Sequence, residues 1–123
     1  MIQNSNNKQE KRYDLEERCL KFAKRVNAYV NQLPKLVSNL ENGKQLVRSA
    51  GSVGANYIEA NQSLSRKDFG MRIKISRKES NESEFWLELS EPKKELESEK
   101  ASLLQEALEL RKIFGSILEK TKI

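Results

Sequence analysis

From Tyr13 onward apolar side chains recur at three- and four-residue steps, a rhythm that predicts helices and leaves no credible strand. Leu15, Cys19, Phe22, Val26 and Val30 mark a first helix, expected from about Asp14 to Leu33. Asp14 and Glu17 supply a D-x-x-E start signal and Pro34 the stop. Asn42-Gly43 reads as a turn that launches a second helix, in which Leu46, Val47, Ala50, Val53, Gly54, Tyr57 and Ile58 lie along one side. Ser65, with Asp68 three residues on, caps a third helix from Arg66 to about Ser90, which Glu91-Pro92 closes. A charged connection, Lys93 to Glu99, leads to a fourth helix over Ala101 to Lys120, whose apolar face runs from Leu103 to Leu118. The pattern predicts an all-α, antiparallel up-down-up-down four-helix bundle over residues 13–123. Residues 1–12, polar and Asn-rich, are expected to form a disordered tail.

Two parts of this pattern are unusual. Ala50 and Gly54, and equally Gly51 and Ala55, sit four apart, giving two small stripes that let a neighbouring helix approach closely. Each glycine inside a helix costs about 1 kcal/mol relative to alanine, so two of them imply a need for that closeness. Further on, Ser76 to Glu84 has no apolar side chain, although a bundle helix needs core positions over that length. Ser76, Ser80 and Ser83 are expected to fill them. Glu79 and Glu82 then fall near Asn56 and Glu59 of the second helix, in a polar layer of the bundle or at a subunit contact. Arg48 and Arg72 are the available partners for buried charge, and Trp86 completes this packing and oligomer set.

Composition narrows the chemistry. The chain has 123 residues, a single cysteine and no histidine. Without histidine the usual general base, zinc ligand and Ser-His or Cys-His nucleophile pairs are missing, so no catalytic residue, metal or cofactor is expected. A carboxylate metal site at Glu79 and Glu82 lacks the Glu-x-x-His pairs of ferritin-like bundles. Cys19 lies in the apolar series and reads as a small core residue. No apolar run exceeds three residues, as at Phe85 to Leu87, so neither a membrane span nor a secretory signal is found and a soluble, cytoplasmic protein is expected. Gly51 to Gly54 resembles a GxxG clamp but has no sheet beside it, and Gly43-Lys44 lacks the rest of a phosphate loop.

The charge layout adds a clue. Residues 64–78 carry Arg66, Lys67, Arg72, Lys74, Arg77 and Lys78 against one acid, Asp68, whereas residues 79–91 carry Glu79, Glu82, Glu84, Glu88 and Glu91 with no base. That order opposes the helix macrodipole. Either neighbouring helices neutralise both halves, or the basic half faces an anionic partner. Lys21 and Arg25 of the first helix share a face with Lys11 and Arg18. With a net charge of +5, RNA or DNA held through phosphates by Arg66, Lys67, Lys74, Arg77, Lys78, Lys21 and Arg25 is the functional reading. A merely solubilising face, on a structural oligomer or protein-binding adaptor, is the plain alternative. Phe69 is the one aromatic among the bases of residues 64–78, so phosphate contact, and not base stacking, would carry the binding.

The series DLEERCLKFAKRV, QLVRSAGSVGANYIEA, SRKDF, KESNESEFWLEL and ELRKIF resembles the bacterial four-helix bundle family of 23S rRNA-intervening sequence proteins. The resemblance covers nearly everything after Tyr13, and the pattern R-S-x-x-S-V-x-A-N-x-x-E-A at Arg48 to Ala60 is its most specific part. It implies an antiparallel bundle that assembles into a homopentameric barrel. Through the related accessory variability determinant of diversity-generating retroelements, it also implies nucleic-acid and protein partners. It implies no reaction. Gly70-Met71 departs from the family, which tends to carry larger residues there, and is expected to soften the first turn of the third helix.

Overall fold

Proline cannot donate a backbone hydrogen bond, and the chain turns where Pro34 stands, between α1 (Gln3–Asn31) and α2 (Val37–Asn61). The computed structural model describes residues 3–122, and side chains from residue 11 onward. After α2 come α3 (Arg66–Leu89), a single 3₁₀ turn (Lys94–Leu96) and α4 (Glu97–Thr121), with no strand among the described residues. Each helix packs on the next, and α1 also packs on α4.

Three helix starts differ from expectation. Helix α1 is already helical at Gln3, so Asp14 lies inside it and caps nothing. The helical backbone thus takes in most of the expected tail, Met1 and Ile2 lying outside the described residues. Helix α2 begins at Val37, which places Asn42-Gly43 inside the helix. Gly43 serves a tertiary contact: a Cβ there would lie 3.0 Å from Val30 Cγ1. Helix α4 likewise begins at Glu97 and takes in part of the expected connection. Helix α3 begins as the capping pattern predicts, with Asp68 N donating to Ser65 Oγ at 3.1 Å, and Gly70 leaves it unbroken.

The core collects Leu15, Cys19, Phe22, Val26, Tyr29 and Leu33 of α1, Leu46, Ala50, Val53, Tyr57 and Ala60 of α2, Ile73 and Leu87 of α3, and Leu103, Ala107, Leu110, Phe114 and Leu118 of α4. Tyr57 and Phe114 pack with ring centroids 5.6 Å apart. Val47 and Ile58, expected on the buried side of α2, are exposed, and Ala60 takes the inward position instead. Only one small stripe is used inside the chain. A Cβ on Gly54 would sit 3.0 Å from Cys19 Cβ, whereas one on Gly51 would meet nothing within 4 Å, and Ala55 is exposed.

The serine stretch of α3 is buried as expected, because small hydroxyls can satisfy themselves where α2 comes close. Ser76 donates to Val53 O at 2.9 Å, Ser80 to Ser76 O, Ser83 to Glu79 O, and Ser49 of α2 meets Ser83 at 2.9 Å. One pole is tied by longer-range bonds. Buried Asn39 donates to Pro34 O and Glu91 O and accepts from Glu91 N, each within 3.0 Å. Nearby, Ser90 donates to Leu87 O, leaving its oxygen to accept from the Tyr29 hydroxyl at 2.6 Å, and Lys100 donates to Ser90 O.

Candidate nucleic-acid interface

The two halves of α3 meet different surroundings. On the acidic half, Arg48 of α2 reaches Glu79 at 3.2 Å and Glu82 at 3.2 Å, while Arg111 of α4 reaches Glu84 at 2.6 Å. These carboxylates hold both guanidiniums charged, raising their pKa, with the bonds to Glu79 and Glu84 respectively as the main causes. Glu79 and Glu82 thus both pair with Arg48, one of the two partners expected for them, and not with Arg72, the other. Asn56 accepts from Arg72 at 2.9 Å, and Glu59 is exposed. Trp86 is half-buried against the core with its edge to Phe85, and its Nε1 is buried without a partner among the described residues.

The basic half has no such neutralisation. Arg66, Lys67, Lys74, Arg77 and Lys78 are all exposed, and none makes an ion pair among the described residues. Arg66, Lys67 and Lys74 gather at a cleft of about 460 Å³ between the start of α3 and the end of α4, where Gly70, Met71, Leu118, Thr121 and Lys122 complete the walls. Arg77 lies across α4, its Nε 3.8 Å from where a Cβ on Gly115 would be. Nearby Glu119 is held below the usual carboxylate range, first by the Lys122 bond at 2.9 Å and then by charge, including that of Arg77. Lys78 stands one turn beyond Lys74 on α3.

The expected contribution from α1 does not join this surface. Arg25 is held by Glu99 at 3.0 Å and by Ser102, and Arg18 by Glu106 at 2.7 Å and Glu109 at 2.8 Å. The basic stripe of α1 is thus partly a seam to α4. Lys21 is exposed, but α1 packs on α2 and α4, so it belongs to another side of the bundle. Lys122, which sequence reasoning passed over, enters the cleft only because the end of α4 folds back to the start of α3.

Cys19 is a core residue, as its place in the apolar series implied. Burial pushes its thiol up to about 12, so it stays protonated and unreactive.

No functionally curated protein matches this chain. It is similar to a solved protein with unknown function from the S23 ribosomal protein family of Bacteroides thetaiotaomicron, at 32% identity, covering 89% of this chain and 98% of that one with a TM-score of 0.76. The model of the 23S rRNA-intervening sequence protein family matches residues 11–116. Bundle, motif and match agree, and the chain belongs to the 23S rRNA-intervening sequence protein family.

Proposed function

We propose that this protein is a non-enzymatic, homo-oligomeric four-helix bundle of the cytoplasm that binds RNA or DNA through phosphates, as a ribonucleoprotein accessory. The observation that carries the reading is the contrast within α3. Glu79, Glu82 and Glu84 are matched by arginines of α2 and α4, while Arg66, Lys67, Lys74, Arg77 and Lys78 meet no carboxylate in an ion pair among the described residues. Such a surface binds polyanions by releasing their counterions.

The register of the contacts supports an up-down-up-down arrangement. Arg18 and Arg25 ascend α1 as Glu106 and Glu99 descend α4, and Arg48 and Asn56 ascend α2 as Glu79 and Arg72 descend α3. Assembly, read as a homopentameric barrel from the family resemblance, is supported by an outward strip of α2. There the apolar Val47 and Ile58 flank the small Gly51 and Ala55, all exposed. The same strip favours the rival reading, a structural oligomer or protein-binding adaptor with no nucleic-acid role.

Five phosphate contacts give a slope of log affinity against log salt near −4.5, at about 0.9 per phosphate on duplex DNA. Anisotropy titrations on a labelled duplex are expected to show that slope. The triple variant R66E/K67E/R77E is expected to lose binding while keeping helicity and mass. Wild-type protein that fails to bind at low salt would favour the adaptor, and a monomer in light scattering at micromolar concentration would reject assembly.

A further inference from the structure

The cleft at the start of α3 differs from a flat basic surface. Arg66, Lys67, Lys74 and Lys122 stand around it, but Gly70, Met71 and Leu118 make its interior largely aliphatic. Gly70 leaves open space, since a Cβ there would meet nothing within 4 Å, and more than half of Met71 remains exposed. A regular duplex presents phosphates outward with its bases stacked inside, so it would use the cations and leave the interior wet. An unpaired nucleotide uses both: its phosphates meet the cations, and its base enters the cleft to cover Met71 and Leu118. At about 460 Å³ the cleft lies within the size range of small-ligand sites.

We infer that this cleft receives one unpaired nucleotide of a nucleic acid, holding its base against Met71 and Leu118 while Arg66, Lys67 and Lys74, joined by Lys122 as it leaves its exposed bridge to Glu119, hold the adjoining phosphates. The inference rests on the nucleic-acid reading above and names the substrate class for the same site. Phe69, the one aromatic of the basic stretch, packs against the core and does not line the cleft, but Leu118 comes from the far end of the chain, where a reading of α3 alone does not reach. An aliphatic floor belongs at the low end of the range for base stacking on aromatic side chains, so a preference of about fivefold to tenfold is expected.

The test compares three labelled RNA probes at one salt concentration: a fully paired duplex, the same duplex with one bulged nucleotide, and the bulged duplex with that position abasic. Wild-type protein is expected to bind the bulged probe about fivefold to tenfold more tightly than the paired one, and the abasic probe to lose that advantage. The G70L variant fills the cleft without a backbone clash and strengthens helix propensity, so it is expected to stay folded and to bind the bulged and paired probes alike. Equal wild-type affinity for the bulged and paired probes, or a preference that survives in the abasic probe or in G70L, overturns the cleft assignment with nucleic-acid binding intact. Failure of all three probes to bind removes the underlying function as well.

Discussion

Gly51 and Gly54, three residues apart in the same helix, should respond to the same substitution with opposite signs. Gly51→Ala adds a methyl to open space and gains helix propensity of about 1 kcal/mol. Gly54→Ala gains the same propensity but brings its new carbon to 3.0 Å from Cys19 Cβ, with the Cys19 carbonyl carbon at 3.8 Å behind it. That contact cannot be relieved by rotating a side chain, because Cβ is fixed to the α1 backbone, so the helices must separate. Overpacking of this kind costs about 1–3 kcal/mol. Subtracting one variant from the other cancels the shared propensity and isolates this cost, leaving Gly54→Ala between neutral and about 2 kcal/mol destabilised. Urea unfolding followed by far-ultraviolet circular dichroism measures both, and repeating it at low and high protein concentration separates packing from assembly. Gly54→Leu should be worse still. Gly54→Ala as stable as Gly51→Ala would show that the close approach of α1 and α2 does not constrain this position.

The Arg48–Glu79 pair should be asymmetric. Side-chain exposure is 49% for the arginine and 7% for the glutamate, so Arg48→Met strands a buried carboxylate and should destabilise by about 1–3 kcal/mol. Glu79→Gln leaves the guanidinium in solvent beside Glu82 and should cost less, about 1 kcal/mol or under; equal losses in chemical unfolding would contradict this. Cys19 should make the fold sensitive to alkali. Its folded pKa of about 12 stands above the ordinary 9.0, so the unfolded chain loses its proton first. The associated stability is full below about pH 9 and lost between about 9 and 12, at up to about 1.4 kcal/mol per pH unit. Cys19→Ala should flatten the lower part of that decline, while Tyr29 and Tyr57, also raised chiefly by burial, sustain the upper part.

Local chemistry was legible and tertiary reasons were not. The Ser65 cap could be read because donor and acceptor lie three residues apart, and the buried serines of α3 because a helix must turn some residue inward at each turn. The Asn42-Gly43 pair misled because Gly43 answers to Val30, a contact across two helices, and not to a turn. Arg25 looked available because its partner, Glu99, lies on the last helix. Val47 and Ile58 fit the apolar rhythm of α2 yet face outward, since periodicity locates a stripe but not its edges.

The ties formed by Asn39, Tyr29 and Lys100 leave the bundle unevenly fastened. At their pole three separate segments, around residues 34, 90 and 100, are bonded to one another. At the cleft, the first turn of α3 is held by its own Ser65 and the last turn of α4 by Thr121 donating to Leu118 O, both purely local bonds. Amide exchange should therefore be fastest around the cleft and slowest near Ser90, because local opening costs least where few distant contacts must break. Asn61 ties the end of α2 to Glu16 of α1 at 2.8 Å, but among the described residues no hydrogen bond or ion pair joins the start of α3 to the end of α4. A polyanion bridging Arg66 and Lys74 to Lys122 would fasten those two turns, so that binding would register as rigidity before it registered as any change of shape.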